Sequence, residues 1–523
     1  MPTTLPPSIF NDVVGPVMRG PSSSHSAASV RIGRIARDLC GGTPDRVLIE
    51  FDTMGSLATT HDTQGSDMGL FGGLLGYDAD DARLPRSGDD LRAAGTTIEL
   101  RIATLHDPHP NTYRLTLWRG EEKHELIALS TGGGMIEVIE IDGRKVSLFG
   151  DQDVTLFRVD GSTTTIERRL TTLADSVVAT DGMVLACGDG FVNESALHGV
   201  SGISSVRRLE AVLPVRSRKD LAVPFLHAGE LHRQGDLESR PLSDFALLYE
   251  CARGAIDERT VFQHMRHIRG IVAEGIAQGL AGTDYPGRVL PRQSHRYAEK
   301  MRDGSLLQSG LLDRAILYVT ALMEVKSSMG VFVAAPTAGS CGTFPGTTQA
   351  AAEAVQASEE RALRALLSGG LIGVFVATRS SFAAEVGGCQ AETGAGAAMA
   401  AAALVELGGG SAAQSLSAAS HALQNVLGLI CDPIANRVEA PCLGRNIAGA
   451  ANAIASANMA LAGYDHLIPL DEVLDAHREI SERMARELRC TALGGLSITP
   501  TSRAIEARLS ASCGSGGCGT CGA

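Results

Sequence analysis

Apolar and polar residues alternate in the first part of this chain and recur at helical spacing in the second. RVLIEFDT (46–53), TIELRIATL (97–105) and TYRLTLWR (112–119) have the β-branched and aromatic composition of half-buried strands. The last two flank HDPHPN, a turn-rich connection that predicts a hairpin. GGGMIEVIEIDG (132–143) adds a strand in which Ile136 and Val138 alternate with Glu137. Behind Pro21, AASVRIGRIARDLC sets Ala27, Val30, Ile35 and Leu39 near one helical face, with Ser22, Ser23 and Ser24 available as N-caps. Residues 1–145 therefore read as one α+β domain. Residues 146–215 read as a small regulatory-like α+β module, with strand-like VTLFRVDG, helix-like ESALHGVSGISSVRRLE and strand-like AVLPV. Residues 216–240 are charged and read as a linker. From LSDFALLYECARGAIDERTVFQHM onward the pattern is helical with short Gly/Pro breaks, and strand signals are nearly absent. AAMAAAALVEL and AGAANAIASANMALAG are apolar on all sides, as helices inside a bundle are. The predicted class is an α+β N-terminal domain followed by a mostly α-helical C-terminal domain over 241–508, with a flexible Cys/Gly-rich tail at 509–523.

Length supports more than one core, since 523 residues exceed what a single domain usually buries. With 44% hydrophobic and 20% charged residues the chain reads as globular. A formal charge of −13, without a dominant Lys/Arg cluster, argues against a nucleic-acid partner and leaves a small molecule as the expected one. MPTTLPPSIFNDVVGPVMRG lacks a basic region followed by an apolar one, so no secretory signal is expected. GAGAAMAAAALV is too short to cross a bilayer, so no membrane partner is expected either. Eleven cysteines in such a chain point to thiol, metal or cluster chemistry in a reducing compartment, by default the cytoplasm.

Three of these cysteines sit beside helix-breaking residues: Cys389 in AAEVGGCQAETGAGAAM, Cys431 in LICDP and Cys442 in APCLGRN. Each is expected at a helix end, where backbone turns toward a site. Asp432, Arg437 and Arg445 accompany the last two. No compact CxxC pair is present, so spacing alone leaves three inert buried cysteines as an equal reading.

GPSSSHS, GSLATT, STGGGMIEVIEIDG, APTAGSCGTFPG, EVGGCQAETGAGAAMAAAALVEL, CDPIANRVEAPCLGRNIAGA and LGGLSITPT together resemble, in the same order, the iron-sulfur L-serine dehydratases (L-serine ammonia-lyases). The resemblance covers a β-type part, about residues 10 to 145, and an α-type part, about 240 to 508. It implies a [4Fe-4S] cluster held by Cys389, Cys431 and Cys442, with one iron left open as a Lewis acid for the substrate hydroxyl. It further implies loss of water and ammonia from a small amino acid, L-serine by default, giving pyruvate. Ser22, Ser23 and Ser24 would hold the substrate carboxylate. Thr337, Gly339 and Ser340 of the Gly-rich loop, with Cys341 lining it, and Arg445 and Asn446 would complete the pocket. His25 is the expected acid/base or positioning residue, with an ordinary helix-terminal histidine as the alternative. A homodimer is expected.

Departures from the family pattern fall around the substrate. Gln64 and Gly65 occupy positions where the family carries histidines, and His61, three residues out of register, is the expected substitute. Gln424, Asn425 and Val426 replace a charged and polar trio; Ala338 replaces Asn, and Gly444 replaces Glu. Removing polar partners from a pocket usually rejects the substrate that needed them. A related lyase on another β-substituted amino acid, such as cysteine with sulfide release, and a non-catalytic iron-sulfur sensor thus stay open. In the tail CGSGGCGTCGA, Cys513, Cys518 and Cys521 are candidates for capping the open iron from a flexible segment, with sulfur exchange or no role as alternatives.

Overall fold

A computed structural model describes residues 5–107, 109–197, 202–285 and 287–514. The chain forms two compact units: residues 24–62 with 66–222, and residues 5–23 with 63–65 and 223 onward.

The first unit is built on two sheets. In the larger, strands run in the order Thr97–Ala103, Arg46–Asp52, Thr112–Arg119, Glu122–Gly132, Met135–Ile141 and Arg144–Leu148. Val47, Ile49 and Phe51 alternate inward along Arg46–Asp52, which is why that strand occupies an interior position. The hairpin expected across HDPHPN does not form. Arg46–Asp52 inserts between its two arms, pairing parallel with Thr97–Ala103 and antiparallel with Thr112–Arg119. The physical reason lies in the strand faces: Thr97–Ala103 exposes most of its residues and suits the sheet edge. Asp52 then fixes the crossover by accepting backbone N–H bonds from Leu105 (3.2 Å) and Asp107 (2.8 Å).

Helices Ala28–Leu39 and Ser66–Leu75 belong to this unit and pack on each other through glycines. The N-cap position of Ala28–Leu39 falls on Ala27 and not on the expected Ser22–Ser24. Ser23–Ala27 is wound as a wide π turn that runs straight into the helix, leaving Ala27 as a capless N-cap. The smaller sheet, Ile203–Leu209, Asp153–Val159, Met183–Gly188 and Ser176–Thr180, is antiparallel throughout. Of the helix expected over 194–210, Glu194–Leu197 forms a 3-10 helix, 198–201 lie outside the described residues, and Ile203–Leu209 is a strand, opened by Gly202 at φ +92°; the α-helix of this module lies at Thr164–Leu170. Val154 and Leu156 join the core of the large sheet, while Phe157 and Val159 face the helix residues Ile166 and Leu170. One strand thus serves two apolar layers.

The second unit is helical, and its only strands among the described residues are Val17–Met18 and Phe332–Val333, paired with each other. Its centre is helix Ala395–Leu407, buried at every position. Glu359–Arg379, Ala412–Gln424, Cys442–Leu461 and Thr343–Ala354 pack around it. Glu359–Arg379 is long and apolar enough to cross a membrane by composition, and it is mostly buried in this core. The stretch read as a linker carries the 3-10 helix Ala228–Arg233, because Phe225 and Leu231 are buried and Asp471 receives the N–H groups of Ala228 (3.2 Å) and Gly229 (2.9 Å).

Candidate functional site

The helical unit gathers cysteines from three distant segments. Cys389 follows Gly388, whose φ of +70° lets the chain reverse out of the short helix Ala384–Gly387 and enter the π turn Gln390–Gly394. Cys442 is the first residue of Cys442–Leu461. Cys431 is not at a helix end as expected; it sits in an isolated parallel bridge opposite Arg489. All three are buried. The sulfurs of Cys389 and Cys431 and a carboxylate oxygen of Glu392 lie within 4.8 Å of one another.

Arg445 ties this nest together. Its Nη1 donates to Cys389 Sγ (3.3 Å) and to the Ile430 carbonyl (2.9 Å), and its Nη2 donates to Asp432 Oδ1 (2.5 Å). Asp432 also accepts the Leu496 N–H (2.8 Å). The Cys431 thiol beside it, with the Arg445 guanidinium, holds Cys389 below the ordinary thiol range despite its burial. Cys431, beside the sulfurs of Cys389 and Cys490, is pushed well up. Burial raises Cys442. The two neighbouring sulfurs are thus shifted in opposite directions, Cys389 toward the thiolate and Cys431 away from it.

The Gly-rich loop lies in the same unit. Thr337 Oγ1 donates to Glu392 Oε1 (2.7 Å) and is 3.1 Å from Ser340 Oγ. A Cβ at Gly339 would stand 2.6 Å from both Glu392 oxygens, so only glycine leaves room for that carboxylate. The Ala338 N–H reaches Ser23 Oγ at 3.2 Å. Asn446 is engaged on both ends of its amide: Nδ2 donates to the carbonyls of Gly339 and Cys442 (2.8 Å each), and Oδ1 accepts from Thr343 N–H (3.1 Å) and Thr343 Oγ1 (2.9 Å). It holds the loop against the helix and has no amide atom to spare for substrate. Cys341 does not offer a reactive lining: it packs on Met323 Sδ at 3.6 Å, and burial pushes its thiol up to about 12.

Ser22 and Ser23 are buried in the helical unit, while Ser24, His25 and His61 belong to the α+β unit. His25 is completely buried, and its Nε2 is 2.8 Å from Thr60 Oγ1. Thr60 Oγ1 donates to the Ser56 carbonyl (2.7 Å), which leaves its oxygen to accept from His25 Nε2. His61 Nδ1 pairs with Asp67 Oδ2 at 2.8 Å. Burial lowers the His61 pKa, but the Asp67 bond and charge outweigh it and the net shift is upward. Cys513 lies at the end of helix Pro500–Gly514, and Cys518 and Cys521 fall outside the described residues.

Three members of this constellation are not placed in it by the motifs, although Gln64 stands out there as a departure from the family pattern. Glu392 has a signal in hindsight, three residues past Cys389 on the same turn. Burial, with the charge of Cys389 behind it, pushes its carboxyl up to about 8. Glu392 nevertheless keeps partial exposure while Cys389 and Cys431 are closed. Cys490 and Gln64 meet the nest only through long-range folding, and no local pattern announces them. Clustered thiols accompanied by a guanidinium form the soft donor set that iron-sulfur centres take, so the residues present fit the group that the family resemblance implies.

Comparison with known proteins agrees. The family model for the serine dehydratase alpha chain matches residues 161–497. The probable L-serine dehydratase alpha chain of Bacillus subtilis is 39% identical over 51% of this chain and 89% of its own. The probable L-serine dehydratase beta chain of the same organism is 41% identical over 28% of this chain and 66% of its own. The L-serine dehydratase of Streptomyces coelicolor is 29% identical across 92% of this chain and 96% of its own. With more than half of its length matched by one family model, the chain belongs to the iron-sulfur L-serine dehydratase family.

Proposed function

We propose that this chain removes water and ammonia from L-serine, giving pyruvate, with a [4Fe-4S] cluster held by Cys389, Cys431 and Cys442. The observation that supports it most is the Cys389, Cys431 and Arg445 nest, which offers two buried sulfurs close together and a guanidinium that donates to one of them. When bound, the cluster supplies Lewis acidity toward the substrate hydroxyl. The chain's own residues do the rest. Ser22, Ser23 and Ser24 offer hydroxyl and backbone N–H groups to the carboxylate, and Thr337, Gly339 and Ser340 offer further polar groups to the substrate. Glu392, partly exposed and set on Thr337, takes the substrate ammonium or a proton in transit. His25 or His61 removes the α-proton. The expected roles of Arg445 and Asn446 in substrate contact become positioning roles, since both side chains are already committed to the scaffold.

Cysteine is the second substrate to test, because Gln64, where the family carries histidine, is turned onto a sulfur in this chain. Anaerobically reconstituted protein is assayed with L-serine for pyruvate and ammonia, and with L-cysteine for sulfide. Pyruvate from serine is the expected result. Sulfide alone redirects the substrate to cysteine, and an intact cluster with neither product leaves a sensor. In Cys431→Ala the broad visible absorption of the cluster is expected to vanish; a full cluster in that variant removes the ligand assignment.

A further inference from the structure

A fourth thiol is built into the nest. Cys490 is 4% exposed and forms one buried group with Cys389, Cys431 and Ala384. Its position is fixed by backbone: Cys431 N–H donates to the Leu488 carbonyl (2.8 Å), and Cys490 N–H donates to the Cys431 carbonyl (3.2 Å). To reach this place Cys490 adopts φ +55°, with Ala492 at +58° two residues on. Non-glycine residues take this region at a steric cost and keep it only where the surroundings over-determine it.

Gln64 provides the second observation. Residues 63–65 belong to the helical unit although the chain on both sides belongs to the other. Gln64 is completely buried there. Its Nε2 lies 3.6 Å from Cys490 Sγ and 3.1 Å from Asn436 Oδ1, and the Cys490 thiol lies 3.7 Å from its Oε1. An amide presented in this way serves both forms of the sulfur, its N–H donating to a thiolate and its carbonyl accepting from a thiol. A merely apolar filler at residue 490 would need neither the strained backbone nor the amide.

We propose that Cys490 is a fourth thiolate ligand of the cluster in the substrate-free enzyme, attended by Gln64, so that the open iron is closed from within the folded core and not by the C-terminal cysteines. The inference rests on the cluster reading above. On ligation the thiol proton leaves to solvent and the sulfur electron pair forms the iron–sulfur bond. When substrate takes that place, the sulfur keeps the pair and takes up a proton, and Gln64 changes from donor to acceptor.

The test uses the full chain, reconstituted without oxygen and free of substrate, in three forms: wild type, Cys490→Ala, and a variant with Cys513, Cys518 and Cys521 all changed to Ala. Each is treated with ferricyanide, and loss of one iron is followed by the EPR signal of the three-iron cluster and by iron content. Cys490→Ala is expected to lose iron at least about tenfold faster than the other two. Equal rates in all three, or rapid loss confined to the tail variant, overturn the proposal. Should Cys490→Ala not assemble a cluster, Cys490→Ser decides: an oxygen ligand shifts the EPR spectrum of the reduced, substrate-free cluster, and a spectrum identical to wild type overturns it. A wild-type chain that takes up no four-iron cluster removes the reading on which this rests. An intact cluster indifferent to residue 490 removes only the inference.

Discussion

At the scale of single residues, the nest is a problem of charge placement. Cys389 is drawn toward the thiolate by the Cys431 hydrogen bond and by Arg445, and its negative charge helps to push Glu392 up to about 8. A carboxyl poised there exchanges its proton near neutrality, where general acid-base catalysis is most efficient. Glu392→Gln keeps the size of the side chain and an oxygen for the Thr337 hydroxyl while abolishing the exchange. We expect kcat to fall by roughly two orders of magnitude or more, the loss usual for a missing proton-transfer group, with cluster absorption retained. Steady-state kinetics beside the visible spectrum check this; an unchanged kcat makes Glu392 part of the scaffold alone. Sequence pattern pointed to the thiols because each sits by Gly or Pro, but it was silent on Cys490, whose partners Gln64 and Cys431 are separated from it by long stretches of chain. Motif reading sees only neighbours in order, and this pocket is assembled from neighbours in space.

At the scale of elements, close approach is paid for by glycine. Helices Ala28–Leu39 and Ser66–Leu75 meet with backbone almost touching: a Cβ at Gly73 would stand 2.2 Å from the Val30 carbonyl oxygen and 2.8 Å from Gly33 Cα. Alanine gains about 1 kcal/mol over glycine in helix propensity. Overpacking costs about 1 to 3 kcal/mol, and here the obstacle is backbone that no rotamer change relieves. Gly73→Ala is therefore expected to be a net loss of about 1 to 2 kcal/mol, read as a lower urea midpoint at unchanged slope; a midpoint at or above wild type refutes the tight crossing. Strand periodicity located Arg46–Asp52, Thr97–Ala103 and Thr112–Arg119 closely, yet the hairpin inferred for the last two was wrong. Period-two patterning tells which face is buried and leaves strand order to the rest of the sheet. The same limit explains Ile203–Leu209, where Ile203, Val206 and Leu209 recur at a helix-like spacing of three in what is an edge strand of the smaller sheet.

At the scale of the whole molecule, the helical unit is made from both ends of the chain, and one buried carboxyl fastens the N-terminal segment into it. Glu250 of Leu242–Gly254 accepts Ser8 Oγ (2.5 Å) and the Ile9 N–H (2.8 Å), while Tyr249 Oη and Arg253 Nε donate to the carbonyls of Pro7 (2.7 Å) and Pro6 (2.5 Å). Just beyond, Ile9 and Val13 fill the space left by Gly370 and Gly373 on Glu359–Arg379. Burial pushes the Glu250 carboxyl from 4.5 up to about 7, against the two hydrogen bonds that pull it down. The folded state thus holds this proton more tightly than the unfolded chain does. The stabilisation it brings is complete below about 4.5 and is lost as pH rises through about 7, a change on the order of 3 kcal/mol for a shift of this size. Glu250→Gln has no such proton to lose. Urea unfolding of cluster-free protein across this window should show wild type losing stability with rising pH faster than the variant, by up to that amount. Parallel pH profiles in the two proteins mean that Glu250 stays ionised in the fold and that the N-terminal segment is fastened by its hydrogen bonds without a held proton.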